Sequence, residues 1–157
     1  MKIEYYYSIL SPFTYLGSIK FQSIAKKYNA EIIEKPCDLV GGIFIKTGGV
    51  PVPQRSPQRQ KYRLDEIKRW SEFLNIKINI KPKFFPPKEP HLPAKFTIAA
   101  NLLGTKVVFG HELLKQLWSE EKDISDEKNI EIVSNNFKIN FKELFALAKS
   151  EKVLKIY

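Results

Sequence analysis

Ser11 closes an aromatic, strand-like run, Ile3 to Tyr7 followed by Ser8-Ile9-Leu10, and stands directly before Pro12. A strand that gives way to a helix at Ser-Pro holds a hydroxyl at the helix N-terminus. The first N–H groups there lack intrahelical partners, and the helix dipole is positive. An anionic sulfur or a carboxylate is stabilised at such a point. Pro12 suits the first helical position and Ser11 the N-cap. Plain capping would explain the same dipeptide, so chemistry at Ser11 needs support from the rest of the chain. His91 and His111 stand far apart and Cys37 is alone, so metal-ligand spacing is missing. No nucleophile-elbow glycine pattern surrounds Ser11.

The elements that would position Ser11 follow from periodicity. Residues 2–8 read as a strand, 12–29 as an amphipathic helix, and 31–35 as a short strand closed by Pro36. Two strands joined by a helix make a right-handed βαβ unit with parallel strands. Glycines and prolines between Gly41 and Pro53 mark a loop, and 57–75 returns to helical spacing with Tyr62, Leu64, Ile67, Trp70, Phe73 and Leu74. Five prolines exclude regular structure over 79–93. Helices are then expected at about 94–104, 106–119, 126–135 and 140–149, the third capped by Asp123 or Ser125. The fold class is therefore α/β: a βαβ unit, residues 1–36, with a large all-α domain, 37–157. Trp70 and Cys37 read as packing residues.

Composition narrows the function classes. A chain of 157 residues with 43% hydrophobic residues holds one core and has no apolar stretch near the ~20 residues of a membrane span. Met1-Lys2-Ile3-Glu4 does not resemble a signal peptide, and a single cysteine suits a reducing, cytoplasmic setting. The formal charge of +9 raises nucleic acid as a partner. Its lysines are dispersed among acids, however, and the denser stretch from Arg55 to Arg69 fits a solvated helix face.

Four segments in order carry a family resemblance. They are Ser11-Pro12-Phe13-Thr14-Tyr15-Leu16, Leu39-Val40-Gly41-Gly42-Ile43-Phe44 with Thr47-Gly48, Tyr62 with Arg69-Trp70, and Phe84-Phe85-Pro86. The sequence resembles the 2-hydroxychromene-2-carboxylate isomerase family, kin to kappa-class glutathione transferases and to DsbA-like thioredoxin proteins. The resemblance implies that residues 1–36 are an incomplete thioredoxin-like βαβ unit carrying a large inserted all-α domain, 37–157; it also implies glutathione as cofactor, with Ser11 holding its thiol as thiolate. It also implies Gly49 and Val50 as backbone contacts, Arg59 as partner of a glutathione carboxylate, an aromatic or unsaturated small-molecule substrate, and a homodimer. Two positions depart from the family pattern. Ser8 stands where an aspartate is usual, and Gly49 where an asparagine is usual. The strand led by a cis-proline that follows the helical block in the family does not follow here, so a truncated relative is expected. An inactive interaction module of the same fold is the alternative expectation.

Overall fold

The computed structural model describes all 157 residues. Strand β1 (Lys2–Tyr7) and strand β2 (Glu31–Pro36) flank helix α1 (Pro12–Lys27) and pair in parallel, with Ile3 opposite Ile32 and Tyr7 opposite Pro36. These form a two-stranded sheet, as the alternating runs predict. The outward face carries Lys2, Glu4, Tyr6, Glu31 and Lys35. Ion pairs join Lys2 to Glu31 and Lys35 to Glu4 across the strands. The inward face carries Tyr5, Tyr7, Glu34 and Pro36. Tyr5 stacks on Tyr7 and meets Phe21 of α1, both at 4.5 Å between ring centroids.

Beyond Pro36 every regular element is helical. A five-residue π-turn, Leu39–Ile43, and the short α2 (Phe44–Thr47) occupy the stretch read from sequence as loop. Asp38 supports the turn by accepting from the Gly41 N–H at 2.8 Å. Helix α3 (Pro57–Leu74) follows, then an irregular proline-rich stretch, then α4 (Leu92–Leu102), α5 (Phe109–Trp118), α6 (Glu127–Asn136) and α7 (Phe141–Ala148). A last helix, α8 (Glu151–Ile156), escaped the sequence reading; Ser150 caps it from the Val153 N–H. Helix α4 is the hub, packing on β2, α5, α7 and α8. One cluster of 22 buried residues runs from Tyr7, Tyr15 and Leu16 through Phe96, Phe109 and Leu117 to Val153.

Several expectations are corrected. Helix α1 stops at Lys27, because Asn29 takes a left-handed backbone (φ 48°) that ends it. Helix α5 starts at Phe109 rather than near 106. The cap of α6 is Asp126, since Asp123 and Ser125 spend their oxygens elsewhere: Asp123 accepts from the Ser125 N–H, and Ser125 bonds the Glu89 backbone. Trp70 is not a core residue. It is exposed, with Arg69 over its ring and Phe73 at its edge.

Candidate functional site

Ser11 sits where β1 hands over to α1. Its backbone is extended (φ −86°, ψ 124°), and its Oγ accepts from the Thr14 N–H at 3.2 Å, the geometry of an N-cap. Pro12 has no N–H to give, and the Phe13 N–H has no acceptor within the chain. The hydroxyl proton of Ser11 is likewise uncommitted, because the only bond at Oγ is one it accepts. Two donors therefore stand free at the positive end of a 16-residue helix. Ser11 is half-buried and Phe13 exposed.

Gly49 and Val50 lie in the loop after α2. A Cβ at Gly49 would fall 2.2 Å from the Phe44 ring, which explains glycine here in place of a larger residue. The Val50 carbonyl accepts from Arg55 Nε at 2.7 Å, and the Arg55 carbonyl accepts from Gln60 Nε2 at 2.8 Å. These bonds tie the loop to the first turns of α3, where Arg59 is exposed. Helix α3 packs on α1, and this is the link between the loop and the Ser11 helix. No hydrogen bond joins Ser11 to Gly49, Val50 or Arg59.

Two clefts are lined by other residues. One, of about 410 Å³, opens at the C-terminal end of β2 between Tyr6, Lys35, Cys37, Lys46, Ile98 and Tyr157. The other, of about 660 Å³, lies at the opposite end, by Lys2, Lys26, Glu31 and Lys106. Neither contains Ser11, Gly49, Val50 or Arg59. Cys37 is half-buried, with Sγ 3.2 Å from the Lys35 carbonyl. His91 meets Tyr157 Oη at 3.0 Å, and His111 meets Ser18 Oγ at 2.5 Å, so the two imidazoles serve different elements. Burial, and secondarily Lys115, holds His111 below the ordinary histidine range despite Glu112.

Sequence reasoning missed Glu34, a buried carboxyl with no cation beside it. Its carboxyl accepts the Tyr7 hydroxyl at 2.6 Å and the Gly110 N–H at 3.1 Å from each oxygen. Val108, the N-cap residue of α5, offers no side-chain bond, so Glu34 caps that helix from β2. Burial pushes its pKa up to about 7, against the pull of the bonds from Tyr7, Gly110 and Phe109. A Cβ at Gly110 would meet Tyr7 Oη at 1.9 Å, so only glycine lets the helix come this close. The one available signal was the sequence Glu31-Ile32-Ile33-Glu34, whose imperfect alternation leaves open which glutamate turns inward.

Comparison with known proteins finds relatives of the whole chain. The model of the DSBA-like thioredoxin domain matches residues 2–157. Glutathione S-transferase kappa 1 of Rattus norvegicus is 26% identical over 133 residues, covering 82% of this chain and 58% of the relative. The protein of the same name from Caenorhabditis elegans is 22% identical, over 99% of this chain and 71% of its own length. The human one is 26% identical, over 82% of this chain. The chain thus spans 58% of the length of the rat and human relatives. The solved structure of a 2-hydroxychromene-2-carboxylate isomerase superposes with a TM-score of 0.76 at 18% identity, over 100% of this chain and 75% of the other. At that identity the likeness is one of fold.

Proposed function

We propose, for a chain that belongs to the DSBA-like thioredoxin domain family, a glutathione-dependent isomerase activity of the 2-hydroxychromene-2-carboxylate type, or a related kappa-class transferase-like activity, with the thiol held at Ser11. The observation that carries this reading is the pair of uncommitted donors, the Ser11 hydroxyl and the Phe13 N–H, at the start of α1. Both donors favour a thiolate over a thiol, so they lower the pKa of a sulfur placed between them. The thiolate would add to an unsaturated carbon of an aromatic substrate, forming a C–S bond as the π electrons move onto a conjugated carbonyl. Rotation about the resulting single bond, followed by C–S cleavage, returns the thiolate and gives the cis-trans isomer. This is the chemistry of a 2-hydroxychromene-2-carboxylate type isomerase. Arg59 would pair a glutathione carboxylate, with Gly49 and Val50 supplying backbone contacts.

The same reading includes a homodimer. Strand β1 has one partner strand, and α1 exposes Phe13, Ile19 and Ile24, with exposed Tyr28 just past its end. An open edge beside an apolar helix face invites a second copy. Light scattering at micromolar concentration should give twice the chain mass; a monodisperse monomer would remove the dimer.

Calorimetry with glutathione tests the central assignment. Binding by the wild-type chain that is weakened in both Ser11→Ala and Arg59→Gln is the expected outcome. Equal binding by wild type and Ser11→Ala would refute it.

A further inference from the structure

The cleft at the C-terminal end of β2 gathers apolar surface that the fold leaves open. Ile98 of α4, 4% exposed, lies at its base. Tyr6 lines it from β1, where it stands opposite Lys35 in the sheet. Ile43, between the π-turn and α2, and Ile156, at the end of α8, line it from two further elements. Tyr6 is 64% exposed, Ile43 40% and Ile156 45%. Three separate elements thus leave large apolar side chains open around one space of about 410 Å³, a size typical of small-molecule sites. A ligand that covers them is held by the burial of that surface. The cleft at the other end of the sheet lacks this character, because Lys2, Gln22, Ser23, Lys26, Asn29 and Glu31 line much of it.

The polar groups of the smaller cleft are nearly all spent. Lys35 pairs with Glu4 at 3.6 Å, and the Tyr6 hydroxyl donates to the same carboxylate at 2.8 Å. Asp38 accepts from the Gly41 N–H at 2.8 Å, and its carbonyl takes the Gly42 N–H at 3.2 Å. The Cys37 thiol donates to the Lys35 carbonyl at 3.2 Å, and the Tyr157 hydroxyl meets His91 Nδ1 at 3.0 Å. Lys46 is the exception: it is exposed and forms no ion pair. Isoleucine methyls and tyrosine rings around one free ammonium suit an anion whose body is apolar throughout. Further polar groups on the ligand would lose water without finding partners. A second negative charge would meet Asp38.

We propose that this cleft binds a saturated monocarboxylate of medium chain length, with the carboxylate on Lys46 and the chain along Ile98, Ile43 and Ile156. The site stands apart from the glutathione reading, since none of Ser11, Gly49, Val50 and Arg59 lines it.

Cys37 is the only cysteine of the chain and lines the cleft, so its alkylation by iodoacetamide reports occupancy. Octanoate at about ten times its dissociation constant should slow that alkylation by about tenfold. Octanol, which has the chain without the charge, should bind about tenfold more weakly. Lys46→Gln should weaken octanoate by about tenfold and leave octanol within about twofold, whereas Lys128→Gln, which removes an exposed charge elsewhere, changes neither by more than about twofold. Ile156→Ser should weaken octanoate and octanol by the same factor. Lys46 and Ile156 are exposed, so both variants keep the fold. Calorimetry with octanoate should give the same order of affinities without recourse to the thiol. Ser11→Ala should bind octanoate as wild type does, so failure of the glutathione assignment would leave this site standing. No protection of Cys37 at millimolar octanoate, equal octanoate binding by wild type and Lys46→Gln, or displacement of octanoate by glutathione would overturn it.

Discussion

Helix α4 buries seven of its eleven residues, whereas α3 buries one of eighteen, Ile67. The two helices differ in what they touch. Helix α4 lies against β2, α5, α7 and α8 and carries Phe96, Ile98 and Ala99 into the common core. Helix α3 rests on α1 and shows solvent Tyr62, Trp70 and Phe73 together with its unpaired arginines. Apolar burial supplies most of the stabilisation of a small domain, so the fold is held by the α4 side. The α3 side keeps aromatic and cationic groups that contribute little to stability and remain available for binding.

The difference can be broken by substitution. Phe96→Ala removes a fully buried ring and should cost about 3–5 kcal/mol in urea unfolding, enough to threaten folding altogether. The next effect is set by pH. The carboxyl of Glu34 is raised from 4.5 in the unfolded chain to about 7 in the folded one, so the folded state holds its proton more tightly. Its contribution is fully present below pH 4.5 and is lost as pH rises through about 7. Linkage puts the full change at about 3 kcal/mol. Urea midpoints should therefore fall between about pH 5 and pH 8, and Glu34→Gln should flatten that fall. A wild-type midpoint that rises over the same interval, with Glu34→Gln unchanged, would show that Glu34 is not the group responsible.

Smaller effects sharpen the same contrast. Ser11→Ala removes a cap and should cost about 1 kcal/mol, read from the urea midpoint at constant slope. Phe73→Ala, at a residue 77% exposed, should stay within about 0.5 kcal/mol of wild type. A Phe73→Ala loss near that of Phe96→Ala would mean that α3 packs against something the single chain does not supply.

How much of this was legible in the sequence depends on how local each signal is. The βαβ unit was readable because alternation, Ser11-Pro12 and the closing Pro36 act within a few residues. The cap of α6 was not, because Asp123, Ser125 and Asp126 are all capping residues, and the choice falls to two bonds of the folded chain: Asp123 accepts from the Ser125 N–H, and Ser125 bonds the backbone of Glu89, 36 residues away. Trp70 was misplaced because helical spacing gives a face but not what lies opposite it. Glu34 was invisible for the same reason: its role depends on Gly110, 76 residues further along the chain. Ser11 could be named as a cap from sequence, whereas the uncommitted Phe13 N–H beside it follows from the hydrogen-bond pattern of the folded chain.

The most direct test of the Ser11 assignment is a titration of bound glutathione, following thiolate absorbance in the ultraviolet against pH in the wild-type chain and in Ser11→Ala. The two free donors at the start of α1 predict a bound thiol that ionises at least about one unit below the ordinary thiol value of about 8.5, with the shift lost in Ser11→Ala. A bound thiol that ionises at the ordinary value in wild type, or at the same depressed value in both chains, would contradict it.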